Sequence, residues 1–424
     1  MTRTHHALPP AAERRAPSPA VLTVESIAAG GDGVSRANGL VIFTPRTAPG
    51  DVADVDVTPS GRFGRGTLRA LLTASPDRVE PACAHYTRDR CGGCQLQHLS
   101  IEAQREAKSR IVADALRRIG HREGALPPVR FAGEPWRYRR KLTLAIRRRG
   151  HEWFAGLHPH DAPGRVFPLD DCPITDERVV ALWRVILAAA DDLPDARELR
   201  GAVRVDDHDA SFSLEGGSSW PRSGAFFARV PALGAIWWTP EQSSRRRLHA
   251  REGAAAPGAS FTQVNAAMAA ELQTHVMARV AAHAPRTLID AYAGTGDTAA
   301  AAAAQGAQVT AIELDEDAAA WCAARLPAGA RAIAARVEDV LGTLLPADVV
   351  VLNPPRAGVD PRVTAALAGE RGVRAIVYVS CDPATLARDL ARLPAWRVAS
   401  IECFDMFPQT AHVETVCELV PEAA

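Results

Sequence analysis

The chemistry of this 424-residue chain is concentrated at Cys381, in the run Tyr378-Val379-Ser380-Cys381-Asp382-Pro383-Ala384-Thr385-Leu386-Ala387-Arg388-Asp389. The apolar residues 375–379 read as a strand that carries the cysteine at its C-terminal tip, and Asp382-Pro383 opens a helix. Open α/β sheets present their reactive groups at such tips. A thiol close to a helix N-terminus is biased towards the thiolate, its nucleophilic form. Glu414 ends a second motif, Phe407-Pro408-Gln409-Thr410-Ala411-His412-Val413-Glu414. It supplies a carboxylate that can act as base to the cysteine nucleophile, with His412 a candidate to orient it. A free cysteine is equally at home as a small core residue, so the rest of the chain decides its meaning.

Leu288-Ile289-Asp290-Ala291-Tyr292-Ala293-Gly294-Thr295-Gly296-Asp297 reads as a strand, a Gly-rich turn and the start of a helix. Glu313 ends the next strand, 23 residues after Asp290. Glycines let a backbone approach a nucleotide closely, and an acid at the second strand tip can hold a ribose diol. These features fit a dinucleotide or S-adenosylmethionine (SAM). Ala299 stands where G-x-G-x-x-G has its third glycine, and Asn353-Pro354-Pro355-Arg356 at the fourth strand tip favours a SAM-dependent methyltransferase. Asn-Pro-Pro followed by an aromatic residue would suit methylation of an exocyclic amine. Arg356 removes the stacking ring from that arrangement.

Cys83, Cys91, Cys94 and Cys172 form a second constellation, with spacing Cys-x7-Cys-x2-Cys and the fourth 78 residues on. Four thiolates suit tetrahedral zinc or a [4Fe–4S] cluster, and spacing does not separate the two. The C-x3-C-x2-C pattern of radical-SAM enzymes is absent. Cys322, Cys403 and Cys417 lack motif context and read as buried residues.

Stepping outwards, the chain needs several elements to hold these groups. Its length calls for two or three domains. Zero net charge conceals an asymmetry: residues 1–160 carry 25 Lys and Arg against 15 Asp and Glu, and the remainder is acidic by the same margin. The basic part suits a polyanion. Seven basic residues fall in 136–149, with Trp136 and Tyr138 interleaved, a pattern suited to phosphate contact and base stacking. Absence of a signal-peptide pattern or of a long apolar run leads us to expect a cytoplasmic protein with no membrane partner. The expected organisation is a disordered tail (1–18), a small β-barrel (19–76), a mixed α+β central domain with the metal centre and an RNA-binding surface (77–255), and a C-terminal α/β Rossmann-like domain (256–424). Helix 100–120, capped by Ser100, can pack on that last domain. Candidate strands in it are 287–290, 308–312, 348–352, 375–379 and 413–420.

With these motifs assembled, the chain resembles the RNA uracil-5-methyltransferase family, in particular its iron–sulfur rRNA branch bearing an RNA-binding TRAM barrel, over about residues 20–420. The resemblance implies Cys381 as nucleophile and Glu414 as base. It implies that Gln263, Tyr292, Glu313 and Asn353 line the SAM and uracil site, with Gly294 and Gly296 in the cofactor turn and Asp297 and Asp339 as further SAM contacts. It also favours [4Fe–4S] over zinc, although the family's usual first spacing is Cys-x5-Cys. Asn353 replaces the aspartate of many members, keeping an acceptor oxygen and losing the charge. The expected substrate is a single-stranded or loop uracil, in 23S rRNA ahead of tRNA, bound by a monomer. Two alternatives remain at this level: an amino-methyltransferase using Asn353-Pro354-Pro355, and a non-catalytic RNA-binding factor.

Overall fold

A computed structural model describes residues 16–150, 152–207, 209–252 and 263–422. The first fifteen residues of the expected tail, the 255/256 boundary and Ser260, Phe261 and Thr262 before Gln263 lie outside the described residues.

The N-terminal strands alternate apolar and polar residues between Gly turns. They are β1 (Ser18–Thr23), β2 (Ser26–Ile27), β3 (Gly33–Ala37), β4 (Leu40–Thr44), β5 (Val52–Ser60) and β6 (Phe63–Thr73), in the order β1-β5-β6-β4-β3-β2. Ala53, Val55 and Val57 of β5 point inwards onto Leu22 and Ile42, the period-2 signature of a half-buried strand. Next come α1 (Ala84–Arg88), α2 (Ile101–Arg118) and the short β7 (Val129–Arg130). Ser100 caps α2 by accepting from the Ala103 amide at 3.3 Å.

The central sheet has seven strands in the order β10-β9-β8-β11-β12-β13-β14. These are β8 (Lys141–Arg149), β9 (Glu152–Leu157), β10 (Phe167–Pro168), β11 (Glu198–Val205), β12 (Ala210–Glu215), β13 (Ala235–Thr239) and β14 (Arg246–Ala250). Helices α3 (Glu177–Ala188) and α4 (Ser223–Arg229) contribute Trp183, Ile186 and Phe226 to the core on one face of it. The other face is polar.

The C-terminal part alternates helix and strand. After α5 (Ala266–Ala281) come β15 (Thr287–Ala291), α6 (Asp297–Ala304), β16 (Gln308–Glu313), α7 (Glu316–Arg325), β17 (Arg331–Ala334) and α8 (Val337–Leu344). Then follow β18 (Val349–Leu352), α9 (Pro361–Ala368), β19 (Ala375–Ser380), α10 (Pro383–Ala391), β20 (Trp396–Phe404) and β21 (Glu414–Pro421). The strand order is β17-β16-β15-β18-β19-β21-β20-β7. Strands β15 to β19 are parallel, and the central pair β18 and β19 is buried throughout and almost wholly apolar, as a sheet covered on both faces requires. All five strands expected here are present. Two were not read: β17, which is half exposed, and β20, whose register shifts between Val398 and Ser400 and breaks the alternation. The far edge is closed by β7, from the N-terminal half, through Cys403↔Val129 and Phe404↔Arg130.

Helix α2 is held onto this part by buried polar contacts that an apolar stripe does not reveal. Lys108, fully buried, donates to the Asp405 carboxylate and, at 3.0 Å, to the Phe407 carbonyl. Gln104 and Gln409 exchange two hydrogen bonds at 2.8 and 3.0 Å. Asp405 also receives Arg105 at 3.4 Å. Breaking a buried pair leaves an uncompensated charge, which costs about 3 kcal/mol or more. We therefore expect Lys108→Met to lower unfolding stability in denaturant by about that amount. Adding Asp405→Asn should recover part of the loss, whereas independent contributions would make the two losses add.

Candidate active site

Strands β19 and β21 run antiparallel with Ser380 opposite Thr415. One step further, the same register sets Cys381 opposite Glu414. The cysteine is half-buried at the strand tip, just before Asp382, whose carboxylate caps α10 by accepting from the Thr385 amide at 2.8 Å. Glu414 is buried, and loss of hydration pushes its pKa up to about 7. The expected bias of Cys381 towards thiolate is not what the surroundings give. Burial raises its pKa first and the charge of Glu414 raises it further, against a lowering by Arg356. Both the thiol and the carboxyl are thus biased towards their protonated, neutral forms. The Arg356 guanidinium, which the sequence reading took only as a lost aromatic ring, is the cation that favours both anions. His412 is exposed, its ring edge-on to Phe407 at 6.0 Å, and makes no hydrogen bond to Glu414 among the described contacts.

The residues after Cys381 clamp the Arg356 loop against α10. Thr385 Oγ1 donates to the Arg356 carbonyl at 3.1 Å and Arg388 Nη2 to the Ala357 carbonyl at 2.8 Å. Asp389, fully buried, accepts from the Val359 amide at 3.0 Å and the Tyr378 hydroxyl at 2.8 Å. A Cβ on Gly358 would stand 2.2 Å from Thr385 Cγ2 and 2.4 Å from Asp389 Oδ2, so only glycine lets the loop lie this close.

At the Gly-rich turn, Gly294 (φ 56°) donates to Glu313 Oε2 at 2.8 Å, and Glu313 Oε1 accepts from the Asp315 amide at 2.8 Å. Gly296 (φ 82°) lies against Cys322, whose sulfur a Cβ would meet at 2.2 Å. Tyr292 also has positive φ (63°) and is half-buried, and the Asn353 amide donates to the Ala291 carbonyl at 3.2 Å. Gln263 Oε1 and Asp290 Oδ2 are buried with no hydrogen-bond partner among the described residues, as atoms awaiting a polar ligand would be. Burial lifts the Asp290 carboxyl to about 7. Asp297 and Asp339 are exposed and paired with Arg325 and Arg362, at 2.7 and 2.8 Å. Beside Asp339, the more shielded Glu338 is one of three acids, with Asp360 and Asp389, whose charge reaches Tyr292, a placement no sequence motif marks.

The four cysteines Cys83, Cys91, Cys94 and Cys172 are buried and line one cavity of about 310 Å³. Its wall continues through Arg139 to Arg356, Phe407 and His412, so it opens towards the Cys381 side. Burial pushes Cys91 up to about 11 and Cys94 to about 12, and charge on the neighbouring cysteines pushes the same way. Among the described residues no group of three or more His, Cys, Asp or Glu side chains is arranged to hold a metal ion, so the expected metal centre does not appear as a formed ligand set.

The basic stretch 136–149 also differs from expectation. Tyr138 is buried and donates to the Pro408 carbonyl at 3.0 Å, so it offers no ring for base stacking. Arg137 brackets the Cys172 loop through Asp171 and two carbonyls. Arg140, Arg147 and Arg148 pair with Asp207, Glu198 and Asp195.

A methyltransferase fold carrying a cysteine and a buried carboxylate at adjoining strand tips defines the class, and comparison with known proteins agrees. The tRNA (Uracil-5-)-methyltransferase family model matches residues 327–420. The 23S rRNA (uracil(1939)-C(5))-methyltransferase RlmD of Chromohalobacter salexigens is 32% identical over 93% of this chain and 88% of its own. An uncharacterised RNA methyltransferase of Thermosynechococcus vestitus is 31% identical over 94% of this chain and 97% of its own. The tRNA (uracil-54, C5)-methyltransferase of Pyrococcus abyssi, solved with S-adenosyl-L-homocysteine, shares the fold at a TM-score of 0.72, with 23% identity, over 94% of this chain and 99% of that one. The chain belongs to the RNA uracil-5-methyltransferase family.

Because the folded-state pKa of Glu414 lies above the ordinary 4.5, its proton favours the fold; that contribution is present below pH 4.5 and is lost as pH rises through about 7. The stability of wild type relative to Glu414→Gln should therefore fall across this window, by up to about 3 kcal/mol, and level off above it. Parallel denaturation curves at several pH values check this.

Proposed function

We propose that this protein transfers a methyl group from SAM to C5 of a uracil in RNA, with Cys381 as nucleophile and Glu414 as base. The observation that carries this reading is the register that sets the two side chains opposite each other, within the field of Arg356. Bound SAM supplies a methyl group made electrophilic by its sulfonium. The Cys381 sulfur, as its thiolate, adds to C6 of the uracil, which makes C5 nucleophilic enough to take that methyl group with S-adenosylhomocysteine as the leaving group. Glu414 then removes the C5 proton, the C6–S bond breaks and the thiolate is released. A carboxyl tuned to about 7 is matched to proton transfer near neutral pH. Gln263 Oε1 and Asp290 Oδ2, with Tyr292, Glu313 and Asn353, would hold SAM beside the turn at Gly294 and Gly296. Asp297 and Asp339 are the weaker candidates, since arginines already occupy them.

The substrate we favour is 23S rRNA, supported by the RlmD relatives aligned over almost the full chain. The N-terminal sheet would act as a TRAM-type RNA-binding unit, and the enzyme would work as a cytoplasmic monomer. Four buried thiols around a sizeable cavity would suit a [4Fe–4S] group better than one zinc ion, whose bonds of about 2.3 Å draw four sulfurs to a single point. We expect anaerobically purified protein to carry iron and labile sulfide, lost in Cys91→Ser. Stoichiometric zinc without iron would contradict that assignment.

Nucleoside mass spectrometry of 23S rRNA and tRNA from cells lacking the protein tests the activity: one 5-methyluridine should disappear from 23S rRNA. In purified enzyme, Cys381→Ala should reduce methyl transfer to background. Glu414→Gln should slow turnover by 10²-fold or more, on the order expected for a lost general base. Retained activity in Cys381→Ala would instead favour amino-methylation at Asn353-Pro354-Pro355.

A further inference from the structure

The chain has 49 basic residues, and only two of them, Lys108 and Lys141, are lysines. Lys108 is sealed in the interior. Lys141 lies on the polar face of the central sheet, away from the helices. In β8, Leu142, Leu144 and Ile146 point into the core, so Lys141 and Thr143 point the other way. Across the ladder Lys141 faces Arg204 and Thr143 faces Ala202, while on the next strand Arg204 faces Ser211 and Ala202 faces Ser213. The result is a floor of small side chains edged by cations. Lys141, Thr143, Arg200, Arg204, Thr239 and Arg245 line a recess of about 110 Å³ there. Glu215 is also present, bonded to Arg200 at 3.0 and 3.2 Å. Neither Lys141 nor the nearby Arg139 has an ion-pair partner among the described residues, and the partly shielded Lys141 feels the repulsion of Arg204, Arg200 and Arg139, offset in part by Glu215.

Two further features point to an occupant. Trp237, paired with Ser213 in the ladder, is only 8% exposed, yet its indole N–H has no hydrogen-bond partner among the described residues. The recess also adjoins the site already described. Thr143 lines both cavities, and Arg139 lines the one that reaches Arg356 and His412. At its other end Arg245 reaches Asp315, beside Glu313, at 3.9 Å.

We propose that this face is a track for single-stranded RNA, in which Lys141 with Arg139, Arg200 and Arg204 holds the backbone phosphates flanking the target uracil. A repelling set of cations over a floor of small residues suits a chain of phosphates, whose charge relieves the repulsion and whose backbone can lie flat on the sheet. A compact ammonium gives point contact with a phosphate where a planar guanidinium would need more room. This inference rests on RNA being the substrate.

The lysine count provides a direct test on the intact protein. Among side-chain amines only Lys141 is open to an acylating reagent, because Lys108 is buried and the arginine guanidinium is inert to it. A saturating single-stranded oligoribonucleotide containing uridine should slow acylation of Lys141 several-fold by peptide mass spectrometry, and S-adenosylhomocysteine alone should not. In Lys141→Ala, with folding checked by circular dichroism and by S-adenosylhomocysteine affinity, RNA affinity should fall. The slope of log K against log salt should shrink by about 0.7, the contribution of one phosphate contact on a single strand. The increase in KM should fall on RNA and not on SAM. If wild type binds and methylates RNA while Lys141 stays equally reactive and Lys141→Ala keeps the wild-type affinity and slope, the track is overturned and the enzymatic reading stands. Failure of wild type to bind RNA at all would overturn both.

Discussion

Lys108 and Asp405 meet in an interior from which both side chains are wholly withdrawn from water, and that contact anchors the segment that leads to Glu414. Asp405 begins the turn that ends at Glu414. Left to itself, a segment with this many unpaired carbonyls would be a mobile surface loop. Here the Phe407 carbonyl receives Lys108, the Pro408 carbonyl receives Tyr138, the Gln409 carbonyl receives the Leu96 amide, and the Met406 carbonyl receives Asn265 at 3.3 Å. The donors come from α2, from the approach to the central sheet, from the loop after Cys94 and from the start of α5. Each region of the chain therefore has a hand on the loop that delivers Glu414. A buried charge pair is weak evidence for stability in itself; its use here is to fix one geometry of a segment whose buried apolar residues Met406, Ala411 and Val413 fall in three separate clusters.

A second clamp fixes the partner. Asp389 ties Tyr378 of β19 to the loop after Asn353, and Thr385 and Arg388 hold the carbonyls beside Arg356. This explains why the cysteine motif extends eight residues beyond the thiol. Cys381 sits at one end of the clamp, and Arg356, the cation that favours the anions of both Cys381 and Glu414, sits at the other. Burial biases both Cys381 and Glu414 towards their neutral forms, and the charge of Arg356 opposes that bias at each.

Much of this was legible in the sequence because the signals were local. The strand before Cys381, the Gly turn and the five apolar strands each declare themselves within a dozen residues. The acid ending FPQTAHVE could be named, but its position opposite the thiol required the antiparallel insertion of β21, which no local pattern specifies. Arg356 reads in sequence only as a missing stacking ring, because its charge acts on neighbours in space, a thiol and a carboxyl, that no local pattern reveals. Tyr138 was misread, since an aromatic ring among arginines looks exposed and this one is buried on Pro408. Lys108 and Gln104 interrupt the apolar stripe of α2 and look like solvent-facing positions; only the tertiary partners Asp405 and Gln409 make them interior.

Direct trapping of the covalent bond puts the central claim at greatest risk. RNA carrying 5-fluorouridine at the target position presents a C5 from which Glu414 can remove no proton after methyl transfer, so the C6–S bond should persist. Incubated with this RNA and SAM, the protein should gain the mass of the methylated RNA, and digestion should leave the modified nucleotide on Cys381. No adduct in active wild-type enzyme, or an adduct that survives in Cys381→Ala, would contradict the account.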